Sequence, residues 1–351
     1  ASDVYKRQDA YNACSLAKTE LAGPGERSLH PKYSEIWSNE TTSETVLTTR
    51  FLDPARTHNF MAGLRPLEFS VGATGNHHPT LDMVLAFPMA DGSAPGVDID
   101  GDGTKEAFDP EATDTRGLFW LNRDPRFYKD IIFDGEWCGE TGNGQYCQLY
   151  TNGADSEEKD PQKGCFTGYM NSKLCLKIVN NANVRGAHYA VLSLMRLADV
   201  YLMYSEATAV GYGSPQSKAS SFYMTAEDAI NEIRDRAGVA HVLDRFTGNT
   251  TDFLGEIRRE RAVELAFEGF RFMDLRRWML LDKSPYTLKT KIEFDRVPTA
   301  SYNKEHPEEN EIMNLKEVVL VERKYTDRHY WLPLPKADVY LYEGFGQNPG
   351  W

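Results

Sequence analysis

The chain has 351 residues, 41% hydrophobic and 12% aromatic, enough for a sizeable core and too much for a disordered chain; the length suits one large domain or two intertwined ones. Its 52 acidic and 39 basic side chains leave a net charge of -13, which repels phosphate backbones and argues against nucleic acid as a partner. No apolar run approaches the roughly 18 residues that span a bilayer, and no apolar signal-peptide core opens the chain.

In the first half, glycine, proline, asparagine and aspartate recur every few residues and separate short β-rich runs such as Thr45–Phe51 and Phe127–Phe133. The segment Asp98–Asp109 resembles a calcium-binding loop. Asp98, Asp100 and Asp102 take positions one, three and five of the EF-hand pattern, Gly103 the turn at six, Thr104 a backbone carbonyl and Asp109 position twelve. Asp109 reaches less readily than a glutamate would, and Pro95, Gly96 and Pro110 leave no flanking helices. The expectation is a loop-only structural calcium; the rival reading is a solvated acidic turn. No catalytic cofactor is expected.

Next, Trp120 to Tyr150 interleaves Trp120, Trp137, Tyr146 and Tyr150 with Asn122, Glu136, Asn143 and Gln145. Five cysteines are present: Cys14, Cys138, Cys147, Cys165 and Cys175. None stands in a CxxC pair, and no spacing suggests zinc. Cys138 to Cys147 and Cys165 to Cys175 bracket short loops, which leaves open two local disulfides in an oxidising compartment or half-buried thiols.

Near Asn183 helical periodicity takes over. Leu194, Leu197, Ala198, Tyr201, Leu202 and Ser205 predict a helix over Ala190–Ala209, ended by Gly211 and Gly213. Thr225, with Asp228 three residues on and Gly238 as terminator, predicts a second helix to Ala237. A third is expected from near Asp252 through Glu268, and a fourth over about Phe270–Leu280. Paired helices with short turns are the unit of helical repeat arrays. The charged block Glu256–Trp278 invites a catalytic reading. However, Glu256, Glu260 and Glu264, like Arg261 and Glu268, recur at helical steps, which predicts ion pairs along one helix and a structural role.

Several motifs resemble the SusD/RagB family of bacterial outer-membrane nutrient-binding lipoproteins. They are Met195–Ala207 (MRLADVYLMYSEA), Ile230–Gly238 (INEIRDRAG) and Glu260–Trp278, together with Pro79–Val84, Phe87–Gly92 and Arg123–Tyr128 upstream. Trp331–Pro335 and Gln347–Trp351 resemble the family's C-terminal end. The similarity spans about Tyr33 to Trp351. Ala1–Gln8 does not share it, so residues 1–32 read as a truncated N-terminal remnant and the chain as the C-terminal two-thirds of a longer protein. The resemblance implies a mainly α fold: a tetratricopeptide-like scaffold over 183–351 carrying a loop-rich, short-stranded ligand lobe over 33–182. It further implies oligosaccharide binding, or less often peptide binding, at the extracellular face of the outer membrane. The full-length protein would be held there by a lipid anchor absent from this chain, docked on a SusC-like TonB-dependent transporter.

Sugars offer C–H faces that stack on aromatic rings and hydroxyls that need polar partners. The expected ligand residues are therefore Trp120, Trp137, Tyr146, Tyr150 and Asn143, with Asn76 and His77 from the loop where the family often has a ligand-binding segment. Phe127 and Tyr128 are expected in the core. Two other functions compete. A glycoside hydrolase needs two facing carboxylates, and no motif isolates a pair. A helical adaptor that binds only protein predicts no aromatic-rich loop lobe, and this chain has one.

Overall fold

The computed structural model describes residues 12, 27–39, 42–49, 78–97, 106–107, 116–140, 143–162, 164–174, 191–220, 222–298, 302–341 and 344–351. The β-branched run of strand β1 (Thr45–Thr49) pairs antiparallel with β8 (Leu192–Arg196). Between them lie short elements: helix α1 (Leu81–Val84), hairpin β2 (Gly96–Val97)/β3 (Glu106–Ala107) and helix α2 (Phe127–Asp130). Strand β4 (Ile131–Ile132) pairs with β7 (Met170–Asn171), and β5 (Trp137–Glu140) pairs with β6 (Asn143–Tyr146). Phe127–Phe133 is thus not a strand throughout; its first four residues make a helical turn.

Helices dominate after β8. They are α3 (Leu197–Tyr212), α4 (Ala226–Ala237), α5 (Asp244–Thr247), α6 (Thr250–Glu264) and α7 (Arg271–Arg277). The expected capping of α4 is present: Thr225 accepts from the Asp228 N–H at 3.0 Å, Asp228 accepts from the Thr225 N–H at 2.8 Å, and Gly238 closes the end. The first helix starts seven residues later than the periodicity predicts, because Leu192–Arg196 bonds to β1 instead. β-strand β9 (Leu288–Arg296) and β10 (Ile312–Glu322) form a long antiparallel hairpin that the sequence reading did not contain. A last turn of helix, α8, covers Lys336–Val339. Helix outweighs strand, but the second half is mixed rather than helical throughout.

Two apolar clusters carry the core. One joins α3, α4 and α6 through Leu197, Leu202, Ile230, Ile233, Phe253 and Ile257. The other draws on both sides of residue 183: Phe119, Trp120, Phe127 and Phe133 pack with Val263 of α6, with Ala266 just after it, and with Ile292, Phe294 and Ile312 of the hairpin. The two halves of the chain therefore share a core.

A buried ionic seam runs between these clusters. The Glu264 carboxylate accepts from Arg126 at 2.8 Å, Arg196 at 2.5 Å and Arg236. Arg196 also reaches Glu44 at 2.6 Å and Glu268 at 2.8 Å, and Arg126 pairs with Asp124 at 2.8 Å and Glu260 at 2.5 Å. Burial alone would raise the Glu264 pKa; Arg236, Arg196 and Arg126 outweigh it and hold the carboxyl well below the usual range. Arg261 likewise binds Asp199 at 2.7 Å and Asp274 at 2.9 Å. The structural role expected of this block holds, but the partners differ. Glu260, Glu264 and Arg261 reach other elements, while Glu256–Arg259 is the i,i+3 pair inside α6.

Candidate functional site

A concavity of about 980 Å³ lies between residues of the first half of the chain and the loop between β9 and β10. Trp37, Asn122, Tyr128, Glu136, Trp137 and Lys304 contribute to its wall, which continues through Ser34, Lys129 and Ser172 to the acidic residues Glu305, Glu308 and Glu309.

Trp137 is its most exposed aromatic, at 38%. It is placed by register: on the β5–β6 hairpin Trp137 stands directly opposite Tyr146, and the two rings meet edge-on at 4.9 Å between centroids. Below it the backbone comes close at Gly144, where a Cβ would stand 2.6 Å from the indole. Only glycine lets the ring rest there. The base of the hairpin is fixed by Asp134, whose carboxylate accepts from the Leu149 N–H at 2.8 Å, Arg296 at 2.6 Å and the Tyr302 hydroxyl at 3.1 Å. Gly135 bends the chain at φ +86, where a Cβ would collide with that hydroxyl. Lys304 closes the far side, its ammonium 5.2 Å from the centre of the Tyr146 ring.

Not every expected ligand residue shares this wall. Trp120 is fully buried, ringed by Phe119, Phe133 and Phe294, and is a core residue rather than a stacking surface. Tyr150 is half-buried with Arg296 over its ring at 4.5 Å, and it does not line the cavity. Asn143 lies in β6, paired with Glu140. Asn76 and His77 fall outside the described residues, as do Cys14, Cys175 and the calcium candidates Asp98, Asp100, Asp102, Thr104 and Asp109. The β2–β3 pairing, Val97 with Glu106, brackets the segment that holds four of those five. Phe127 is core as expected. Tyr128 is half-buried and lines the cavity, donating from its hydroxyl to the Trp120 carbonyl at 2.6 Å.

Sequence reasoning also missed the 302–309 loop, because it confined the site to the first half. The signal was present: an Asn-Lys-Glu-His-Pro turn, closed by Asn310, which accepts from the Asn303 N–H at 2.6 Å and donates to the Asn303 carbonyl at 2.7 Å. A buried cation also belongs to the cavity. Arg123 donates to the Val84 and Phe87 carbonyls at 2.7 and 2.9 Å and lies under Phe127; burial pulls its pKa down to about 10.

The SusD family profile matches residues 36–351. The chain belongs to the SusD family. Its fold is that of solved SusD-like structures. A SusD-like protein of Bacteroides fragilis NCTC 9343 superposes with a TM-score of 0.72 at 23% identity, over 99% of this chain and 63% of that one. A SusD-like carbohydrate binding protein of the same strain gives 0.66 at 18% identity, over 95% and 61%. Surface glycan-binding protein A of Bacteroides fluxus gives 0.57 at 16% identity, over 99% and 59%. This SusD-family chain thus spans less than two thirds of the length of these structures. Comparison with curated protein sequences finds no match.

Proposed function

We propose that this SusD-family chain binds a glycan in the cavity fronted by Trp137. The observation that carries the reading is the exposed indole, held by Tyr146 and Gly144, at the mouth of a cavity whose wall mixes aromatic rings with amide, hydroxyl and charged groups. Such a wall matches the alternating apolar faces and hydroxyl edges of a sugar. The printed descriptions of two structural relatives, a carbohydrate binding protein and a surface glycan-binding protein, support the same class of ligand. The full-length protein would act at the extracellular face of the outer membrane, lipid-anchored, and hand its ligand to a SusC-like TonB-dependent transporter. The helix pairs α3–α7 would serve as its tetratricopeptide-like scaffold.

Binding rather than hydrolysis is favoured by the state of Glu35, one of the carboxylates that line the cavity. Glu35 is held below the usual carboxylate range by hydrogen bonds from Lys32 and His30, the opposite of what a general acid needs. Glu309 accepts from Asn303 at 3.1 Å, and Glu308 pairs with His306 at 3.3 Å. Affinity electrophoresis against a panel of neutral polysaccharides tests the reading: retardation by at least one, without release of reducing sugar, is the expected result. Calcium remains a structural proposal for Asp98–Asp109. Calorimetric titration of chelator-stripped protein should show binding, and no heat together with no thermal shift at millimolar calcium would sink it.

A further inference from the structure

The buried thiols of Cys138 and Cys147 lie 3.4 Å apart, Sγ to Sγ. They are diagonal neighbours across the base of the β5–β6 hairpin: Cys138 stands opposite Gln145, and Cys147 exchanges backbone bonds with Glu136 and Gly135 at 2.9 and 2.8 Å. Diagonal cross-strand positions share a face and lie within side-chain reach. Cys165 differs. It is equally buried, but its thiol donates to the Tyr169 carbonyl at 3.1 Å, which satisfies it locally. Among the described residues, Cys138 and Cys147 are the thiols that meet each other.

We infer that Cys138 and Cys147 are an oxidisable pair that forms a disulfide across this hairpin, fixing from beneath the strands that present Trp137 and Tyr146. Alternation along each strand puts the cross-link on the face opposite the aromatic pair, so closing it leaves the indole exposed. The sulfurs need to approach by about 1.4 Å to reach bonding distance, a shift within the scope of side-chain rotation.

The chemistry is thiol–disulfide exchange with a small external disulfide as oxidant. One thiolate attacks a sulfur of the oxidant and releases a thiol. The second thiolate then displaces the remaining half. Two electrons and two protons pass from the cysteines to the oxidant, which leaves as two thiols. The hydrogen bond from Cys138, with burial, pushes the Cys147 thiol well above its usual range, so thiolate is scarce in the closed hairpin. Oxidation therefore proceeds during folding or hairpin opening, and the same burial afterwards shields the bond from reductants. The cross-link forms whether or not the cavity takes a glycan.

The test folds the full chain with oxidised and reduced glutathione as the probe couple, and in parallel with dithiothreitol. Each sample is alkylated under denaturing conditions and digested after Glu140, because no Lys or Arg lies between the two cysteines. The expected result is a Cys138–Cys147 linked peptide from the glutathione sample alone, with a melting temperature several degrees above the reduced protein. Cys147→Ala should lose most of that redox-dependent shift. Full alkylation of both cysteines after oxidative folding, linkage of either to another cysteine, or a Cys147→Ala variant that keeps the whole shift would each overturn the inference.

Discussion

The wall of the cavity and the seam behind it are built from the same short stretches of chain, yet from opposite materials. Ser34, Lys129 and Ser172 face the cavity, while their immediate neighbours Tyr33, Asp130 and Lys173 belong to the buried ionic seam. On the seam side the groups bond chiefly to one another. Tyr33 donates to Asp130 at 2.8 Å, Lys173 donates to Tyr33 at 2.6 Å and lies 2.9 Å from Glu268, and Tyr33, Asp130 and Lys173 are buried. On the cavity side the rings rest on glycine and on each other. Order is enforced by charge behind the wall, which frees the front to carry groups that serve a ligand and little else. Truncation behind the wall should cost stability; truncation in front should cost affinity.

The largest effect is expected at the seam's centre. Glu264→Gln removes a buried charge shared by Arg126, Arg196 and Arg236, and leaving buried cations uncompensated costs about 3–5 kcal/mol. Chemical denaturation should show that loss; a variant as stable as the parent would erase the contrast between the two sides.

Asp130 sharpens it through pH. Burial, acting against the pull of Lys173 and Tyr33, pushes its carboxyl up to about 7. An unfolded aspartate titrates near about 4. A group whose pKa is raised on folding contributes stability that is complete below the unfolded value and is lost as pH rises through the folded one. Stability should therefore fall between about pH 4 and pH 7, by an amount on the order of 4 kcal/mol if the whole shift is expressed. Asp130→Asn should flatten that slope. An unchanged slope in the variant would show that Asp130 is already ionised in the native state. Glu264 and Glu268, both held low, act in the opposite sense and only at more acidic pH.

In front of the wall the effects should be smaller and of another kind. Gly144→Ala puts a methyl into the Trp137 indole and should displace the ring. Because the methyl also meets the Cys138 carbonyl at 2.5 Å, the expected outcome is weaker polysaccharide retardation together with a melting temperature lowered by less than in Glu264→Gln; intact retardation would mean the ring's seat is immaterial.

What the sequence made legible divides along the same line. Helices α3, α4, α6 and α7 were readable because their signals are local: the Thr225/Asp228 box, Gly238 and apolar positions at helical steps. Leu192–Arg196 has the same periodicity but is claimed by β1, about 147 residues earlier in the chain, and only tertiary pairing decides that. The β9–β10 hairpin shows a period-two pattern, Thr290, Ile292 and Phe294 inward, yet its partner strand lies beyond a polar loop. Helical spacing correctly flagged Glu260 and Glu264 as paired, but spacing cannot name partners on other elements. At the site, Trp137 and Tyr146 were recoverable as aromatics on either side of a stretch rich in Gly and Asn. Trp120 carries the same residue type into the core, because burial is set by the neighbours that fold over it.

The most direct test of the account is titration of Trp137→Ala and the parent with whichever neutral polysaccharide retards the parent most. The account predicts an affinity loss of about 0.5–1.5 kcal/mol beyond that of buried area, or roughly 2- to 13-fold, at an unchanged melting temperature. Unchanged affinity with a lowered melting temperature would contradict it, and would make Trp137 one more packing residue.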